Sequence, residues 1–114
     1  MTEDPKAVGH RMYEAFNARD LAALETILSP GFVSHPLGTT GVEAVTGAWA
    51  KLFAAFPGIR VTVQDMLADG DRAAVRTTLH GTAAATGEPP TMLEIFRVRE
   101  GRIAELWGVS TLGR

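Results

Sequence analysis

The chain has 114 residues, of which 46% are hydrophobic and 21% charged, and its formal net charge is −2 at pH 7. This composition is typical of one globular domain over residues 1–114, and it excludes a disordered chain and a basic nucleic-acid-binding protein. There is no cysteine, which excludes disulfides and thiolate metal ligands. No run approaches the roughly 18 apolar residues of a membrane span, and the acidic start is unlike a signal peptide, so we expect a cytoplasmic protein.

Three helices are predicted in the first half of the chain. Asp4 and Pro5 mark the start of the first helix, and Asp20 can cap a second helix that ends near residue 29. A short extended segment, 32–36, and a loop, 38–41, precede the third helix. This helix has the strongest amphipathic stripe in the chain. Its apolar residues are Val45, Trp49, Leu52, Phe53 and Phe56.

From residue 59 onward the hydrophobic pattern changes to the two-residue period of β-strands. The predicted strands cover residues 59–64, 72–82, 92–99 and 102–110, with a loop over 81–90. Glu100 and Gly101 form the two-residue turn of a closing hairpin. Helices followed by antiparallel strands predict an α+β domain, with the sheet packed against the helices.

The closing hairpin contains the strongest chemical signal. The expected facing pairs, counted outward from its turn, are Val98 with Ile103, Phe96 with Glu105, and Glu94 with Trp107. Glu94 and Glu105 would then lie on one otherwise apolar face, where a carboxylate must be paired, hydrogen-bonded or raised in pKa. Both are candidate catalytic residues, and we expect burial to raise the pKa of Glu105. Alternatively, Glu105 pairs with an arginine such as Arg76 or lies at a solvated rim.

His35 is a third candidate catalytic residue. It precedes a proline and could act at a pocket mouth as an acid, a base or a hydrogen-bond donor; the alternative is a histidine bonded to nearby backbone. No two histidines have ligand spacing on one helix or strand, so we expect no metal site. The side chains that could line a ligand cavity, or simply form the core, are Tyr13, Phe16, Trp49, Phe53, Arg76, Phe96 and Trp107. The pattern leaves open which sheet face Arg76 occupies.

Four segments, in order along nearly the whole chain, share a pattern with a known family. They are Tyr-Glu-Ala-Phe-Asn-Ala-Arg-Asp-Leu at 13–21, Phe-Val-Ser-His-Pro at 32–36, Gly-Val-Glu-Ala-Val to Phe-Ala-Ala-Phe-Pro at 41–57, and Gly-Asp-Arg at 70–72 together with 96–107. In these segments the chain resembles the SnoaL-like family of the nuclear-transport-factor-2-like superfamily. The resemblance implies a cone-shaped, curved antiparallel sheet packed on three N-terminal helices, with a pocket at one end.

The resemblance also implies a small-molecule enzyme of the polyketide cyclase type. Such an enzyme would be a cyclase or isomerase that performs acid/base catalysis on an apolar carbonyl or polyketide-type substrate, with no metal or organic cofactor. Relatives place a catalytic carboxylate a few residues after the tryptophan of the last strand, whereas no carboxylate follows Trp107. A non-catalytic domain that binds a small apolar molecule therefore remains an alternative. A third is an enzyme like the epoxide hydrolase relatives, in which Arg76 and carboxylates activate water.

The aliphatic residues on the second face of the hairpin allow a prediction of the oligomeric state. Leu93, Ile95, Ala104 and Leu106 would lie together there, and this aliphatic surface is too large for a freely exposed sheet. The family resemblance likewise implies pairing through the outer face of the sheet. We therefore expect a homodimer.

Overall fold

The computed structural model describes residues 4–82 and 88–112. The chain forms three helices, α1 (Pro5–Ala18), α2 (Leu24–Ile27) and α3 (Val42–Ala55), with a short 3-10 turn at Leu21–Ala23. The strands are β1 (Leu28–Ser34), β2 (Thr39–Thr40), β3 (Arg60–Asp69), β4 (Arg72–His80), β5 (Thr91–Arg99) and β6 (Arg102–Ser110). This order confirms the α+β fold class. Of the predicted loop over 81–90, residues 83–87 lie outside the described residues.

The helix boundaries follow from local chemistry. The Asp4 side chain accepts a hydrogen bond from the Lys6 backbone N–H at 3.0 Å, and α1 ends where Arg19 adopts a left-handed conformation with φ 60°. The second helix is shorter than predicted because Leu28 is already extended and pairs with Ile103 of β6. Among the described residues, no helix has the length and hydropathy needed to cross a bilayer.

The strands form one six-stranded sheet in the order β2-β1-β6-β5-β4-β3. The sheet is mixed rather than wholly antiparallel, because β1 runs parallel to β6. The sequence predicted only a short extended segment in this part of the chain. The extended backbone starts earlier, at Leu28, and runs through Pro30 and Gly31, two residues that weaken a strand prediction.

The closing hairpin begins as predicted and then changes register. Glu100 and Gly101 form the turn with φ values of 53° and 76°, and Val98 lies opposite Ile103. Arg97, however, lies opposite Glu105, so Ala104 is an extra residue that forms a β-bulge. Such an insertion moves every later side chain of β6 to the other face of the sheet.

The bulge overturns two predicted pairs. Phe96 lies opposite Leu106 rather than Glu105, and Glu94 lies opposite Gly108 rather than Trp107. The two glutamates are therefore on opposite faces of the sheet. Glu94 is on the inner face, which the helices cover, and Glu105 is on the outer face.

The core lies between the inner face of the sheet and the helices. Phe96, Leu24, Leu28, Ile59, Ile103 and Val8 are its largest fully buried apolar side chains. Helix α1 approaches the sheet closely at Gly9, where a Cβ atom would lie 2.5 Å from the Phe96 ring. Phe96 is thus a packing residue beneath α1.

Candidate functional site

A cavity of about 220 Å³ lies between helices α1 and α3 and the inner face of the sheet. Of the 19 described residues that line it, 16 are apolar, and Leu37, which is 46% exposed, lies at its rim. The polar lining residues are Tyr13, Ser34 and Glu94. The apolar lining includes Met12, Phe16, Phe32, Trp49, Leu52 and Met92. We call this space the inner cavity.

In the part of the chain that the structure describes, one carboxyl group, that of Glu94, lines the inner cavity, and the phenol of Tyr13 holds it. The Tyr13 hydroxyl donates a hydrogen bond of 2.7 Å to Oε1 of Glu94. Burial raises the pKa of Glu94, and the hydrogen bond from Tyr13 opposes this rise in part. Burial and the neighbouring carboxylate raise the pKa of Tyr13, which therefore keeps its proton. Glu94 is thus an acid whose protonated form is favoured beyond that of an ordinary glutamate.

Gly108 provides the space in which the Glu94 side chain lies. The two residues face each other across β5 and β6. A Cβ atom at position 108 would come within 3.1 Å of Cγ of Glu94 and 3.2 Å of the Leu93 carbonyl oxygen. Sequence reasoning missed Gly108 because the predicted register placed Trp107 there. One feature of the sequence could have pointed to Gly108, because a glycine inside a strand often marks a position that a ligand or another part of the chain approaches closely.

A second cluster lies on the outer face of the sheet, around Glu105. Nε2 of His35 lies 2.7 Å from Oε2 of Glu105, and a guanidinium nitrogen of Arg97 lies 3.2 Å from Oε1. The His35 ring stacks on Trp107, with centroids 5.0 Å apart and planes at 6°. The side chains of His35 and Glu105 are 44% and 23% exposed. We call these four residues the outer cluster.

The outer cluster lowers the pKa of Glu105. The hydrogen bond with His35 has the largest effect and Arg97 adds to it, while partial burial acts in the opposite direction. The net shift is downward, so the prediction of a raised pKa for Glu105 is wrong. Its physical cause is the bulge at Ala104, which turns Glu105 away from the apolar inner face toward a histidine and an arginine.

Arg76 also lies on the outer face, which answers the question that the sequence left open. It pairs with Asp65 at 2.6 Å, and the two side chains are 51% and 59% exposed. The sequence suggested Arg76 as the partner of Glu105, whereas in the structure the arginine that pairs with Glu105 is Arg97. Among the described residues, no group of three or more histidine or acidic side chains could hold a metal ion.

The predicted lining aromatics divide among three places. Tyr13, Phe16 and Trp49 line the inner cavity. Phe53 lies beside them, with its ring centroid 5.0 Å from that of Phe16. Phe96 belongs to the fully buried core, and Trp107, the predicted neighbour of Glu94, belongs to the outer cluster. The residues predicted for one site therefore occupy both faces of the sheet.

Comparison with known proteins agrees with this architecture. The SnoaL-like domain family matches residues 10–106. The crystal structure of wild-type IdmH, a proposed polyketide cyclase from Streptomyces antibioticus, is 32% identical, with 96% of this chain and 93% of that chain covered and a TM-score of 0.84. An IdmH variant with a truncated loop is 35% identical, with 94% and 92% covered and a TM-score of 0.82.

A proposed polyketide cyclase from Sinorhizobium meliloti is 27% identical, with 90% of this chain and 94% of that chain covered and a TM-score of 0.79. A comparison with curated proteins finds no match. The family match extends over most of the chain, and the similar structures cover nearly all of it. The chain therefore belongs to the SnoaL-like family.

Proposed function

We propose that this protein is a cofactor-independent cyclase or isomerase that performs acid/base chemistry on an apolar carbonyl or polyketide-type substrate in the inner cavity. The observation that carries this proposal is the setting of Glu94. Among the described residues that line the cavity, it is the one that carries a carboxyl group, and its pKa is raised by burial. A general acid or base works best when its pKa lies near the working pH, and burial moves a glutamate in that direction.

Glu94 would move a proton at the carbon next to a substrate carbonyl. In its ionised form it accepts that proton, so that the C–H bond breaks and an enolate forms. For an isomerisation, the proton returns to another carbon of the same enolate. For a cyclisation, the enolate carbon forms a C–C bond with a second carbonyl carbon of the same molecule, and the oxygen of that carbonyl takes the proton. Tyr13 would orient the carboxyl through their 2.7 Å hydrogen bond.

The geometry favours Glu94 over His35 and Glu105 as the group that performs this chemistry. His35 and Glu105 bond each other at 2.7 Å on the outer face, and neither lines the inner cavity. The exposed Arg76–Asp65 pair is on the same outer face. Among the described residues, no arginine lines the inner cavity, and water activation of the epoxide hydrolase type would need one.

A non-catalytic binding domain is the second candidate function. Two observations favour it: the lining is almost wholly apolar, and no carboxylate occurs in the sequence after Trp107. In this case the Glu94–Tyr13 pair would only hold a polar group of the ligand. The two functions use the same cavity and differ in whether a proton is transferred.

Hydrogen exchange on a simple ketone separates the two functions without the natural substrate. 1-Tetralone is a bicyclic ketone whose hydrogens next to the carbonyl exchange with D₂O through the enol, which NMR can follow. We expect the protein to accelerate this exchange and Glu94→Gln to reduce the acceleration by about 10²- to 10⁴-fold. Glu105→Gln is the matched control and should retain it. Binding of 1-tetralone without accelerated exchange would favour the binding domain.

The outer face supports a proposal of homodimer formation. The bulge replaces Leu106 on this face with Trp107 and Val109, so the face differs from the predicted one but keeps exposed apolar side chains beside its charged residues. Leu67 is 72% exposed, Val109 66%, Leu93 50% and Ile95 45%. Exposed aliphatic side chains in this number on one sheet face are typical of an interaction surface.

A further inference from the structure

We infer that the inner cavity takes an uncharged molecule of one or two rings, which presents one carbonyl oxygen to Glu94. This inference rests on the proposed function in placing the site at the inner cavity, and it adds the size and the charge of the substrate. It follows from the volume of the cavity, the side chains that line it and the free side of the Glu94 carboxyl.

The volume limits how much of a substrate the cavity can enclose. The inner cavity encloses about 220 Å³. An engineered protein cavity of about 150 Å³ holds one benzene molecule, and pockets for drug-sized ligands start at roughly 300 Å³. The inner cavity lies between these values. One ring or two fused rings therefore fit, whereas a four-ring skeleton requires a wider space.

The lining selects against a charged substrate. Glu94 and Tyr13 are the only ionisable side chains among the described residues that line the cavity, and no lysine, arginine or histidine is among them. A carboxylate or phosphate would be buried there without a cation, which disfavours its binding. A protonated amine could pair only with ionised Glu94, and burial disfavours that form.

The Glu94 carboxyl leaves one oxygen for the substrate. Tyr13 bonds Oε1, and among the described residues Oε2 has no hydrogen-bond partner. Oε2 lies on the side of Gly108, 3.6 Å from where a Cβ atom of that residue would be. In the protonated form, which burial favours, Oε2 can donate a hydrogen bond to a carbonyl oxygen and so bind the ligand, whereas proton abstraction uses the ionised form. One such donor in an apolar space favours a substrate with one polar anchor.

Four probes test the inference by direct binding, measured by calorimetry and ligand-observed NMR at pH 7. They are 1-tetralone, the anion 1-naphthoate, protonated 1-aminotetralin, and progesterone, a four-ring steroid ketone. We expect 1-tetralone to bind at least about tenfold more tightly than either charged bicycle, a difference of about 1.4 kcal/mol, and progesterone not to bind. A charged probe that binds as tightly as 1-tetralone, or the failure of all four probes to bind below millimolar concentration, would overturn the inference.

A gain of binding tests the size limit. Leu52→Ala removes a side chain from the cavity lining, so progesterone should bind to this variant, whereas Leu93→Ala, on the outer face, should behave as the original protein. Met92→Ala serves the same purpose if Leu52→Ala does not fold. Binding of progesterone by the original protein would refute the limit. Because binding and deuterium exchange are separate readouts, 1-tetralone that binds without exchanging contradicts the proposed function and leaves this inference standing.

Discussion

Replacing Tyr13 with phenylalanine removes one hydroxyl group from the inner cavity and keeps the ring that packs there. Tyr13 is only 6% exposed, and its hydroxyl lies 2.7 Å from Glu94. Leaving a buried polar group without its partner costs about 1–3 kcal/mol. For a domain of 114 residues, about 4 °C of thermal midpoint corresponds to 1 kcal/mol. We therefore expect Tyr13→Phe to lower the midpoint by roughly 4–12 °C.

The cost of Tyr13→Phe should increase with pH. Burial raises the pKa of Glu94 in the folded protein above its value in the unfolded chain. At a pH between these two values, the folded state therefore binds more protons than the unfolded state. The free energy of unfolding therefore falls as pH rises through this range, by about 1.4 kcal/mol for each unit between the pKa values. The hydrogen bond from Tyr13 lowers the pKa of Glu94 in the folded protein. Removing this bond raises that pKa further and widens the pH range over which stability falls, so Tyr13→Phe costs more at high pH.

A double-mutant cycle measures this coupling. Circular dichroism would give the thermal midpoints of the original protein, Tyr13→Phe, Glu94→Gln and the double variant at pH 5 and pH 8. The pH-dependent part of the Tyr13→Phe effect should disappear when Glu94→Gln is present, because an amide does not titrate. A Tyr13→Phe effect that is equal at both pH values in both backgrounds would refute the reasoning.

Three further predictions concern Gly108 and the outer face. Gly108→Ala should slow 1-tetralone exchange about tenfold or more because it displaces Glu94. The control is Gly47→Ala, where a Cβ atom meets nothing within 4 Å, and it should retain the rate. Equal exchange rates in both variants would contradict the role of Gly108 in positioning Glu94. The hydrogen bond with His35, and Arg97 beside it, lower the pKa of Glu105. The stability that Glu105 contributes is therefore present above the usual glutamate pKa and is lost as pH falls through the lowered pKa. Glu105→Gln should therefore flatten the acid limb of the stability curve, and an unchanged limb would contradict the pairing. Ile95→Lys should halve the mass in light scattering if the outer face forms the homodimer, and a monomeric original protein would refute the dimer.

Periodicity and turn chemistry predicted most of the fold. The shift from a helical period to a two-residue period located the third helix and the strands, and Glu100 with Gly101 identified the hairpin turn. The length of strand β1 was underestimated because Pro30 and Gly31 weaken the local strand signal. The strand is stabilised by its parallel pairing with β6, which is distant in sequence. Its pairing depends on tertiary packing that local propensity does not encode.

The candidate site was less predictable because one residue changes the face of several others. Ala104 looks like any small strand residue, and a bulge leaves little trace in an alternating pattern. Without the bulge, Glu105 would lie inside beside Phe96; with it, Glu105 meets His35 and Arg97 outside. The bulge is in β6 and leaves Glu94 of β5 on the inner face. Glu94 therefore reaches the inner cavity, where Tyr13, some eighty residues away in sequence, is its partner.

Glu94 and Glu105 lie in opposite settings, one in the apolar inner cavity and one in the charged outer cluster, and a carboxyl-carbon NMR titration of the intact protein measures this difference. Resonances of Glu94 and Glu105 would be assigned with Glu94→Gln and Glu105→Gln and followed from pH 2 to pH 9. The structure places the pKa of Glu94 above that of an ordinary glutamate and the pKa of Glu105 below it. The reverse order, or two ordinary values, would contradict the assignment of the inner cavity as the site of acid/base chemistry.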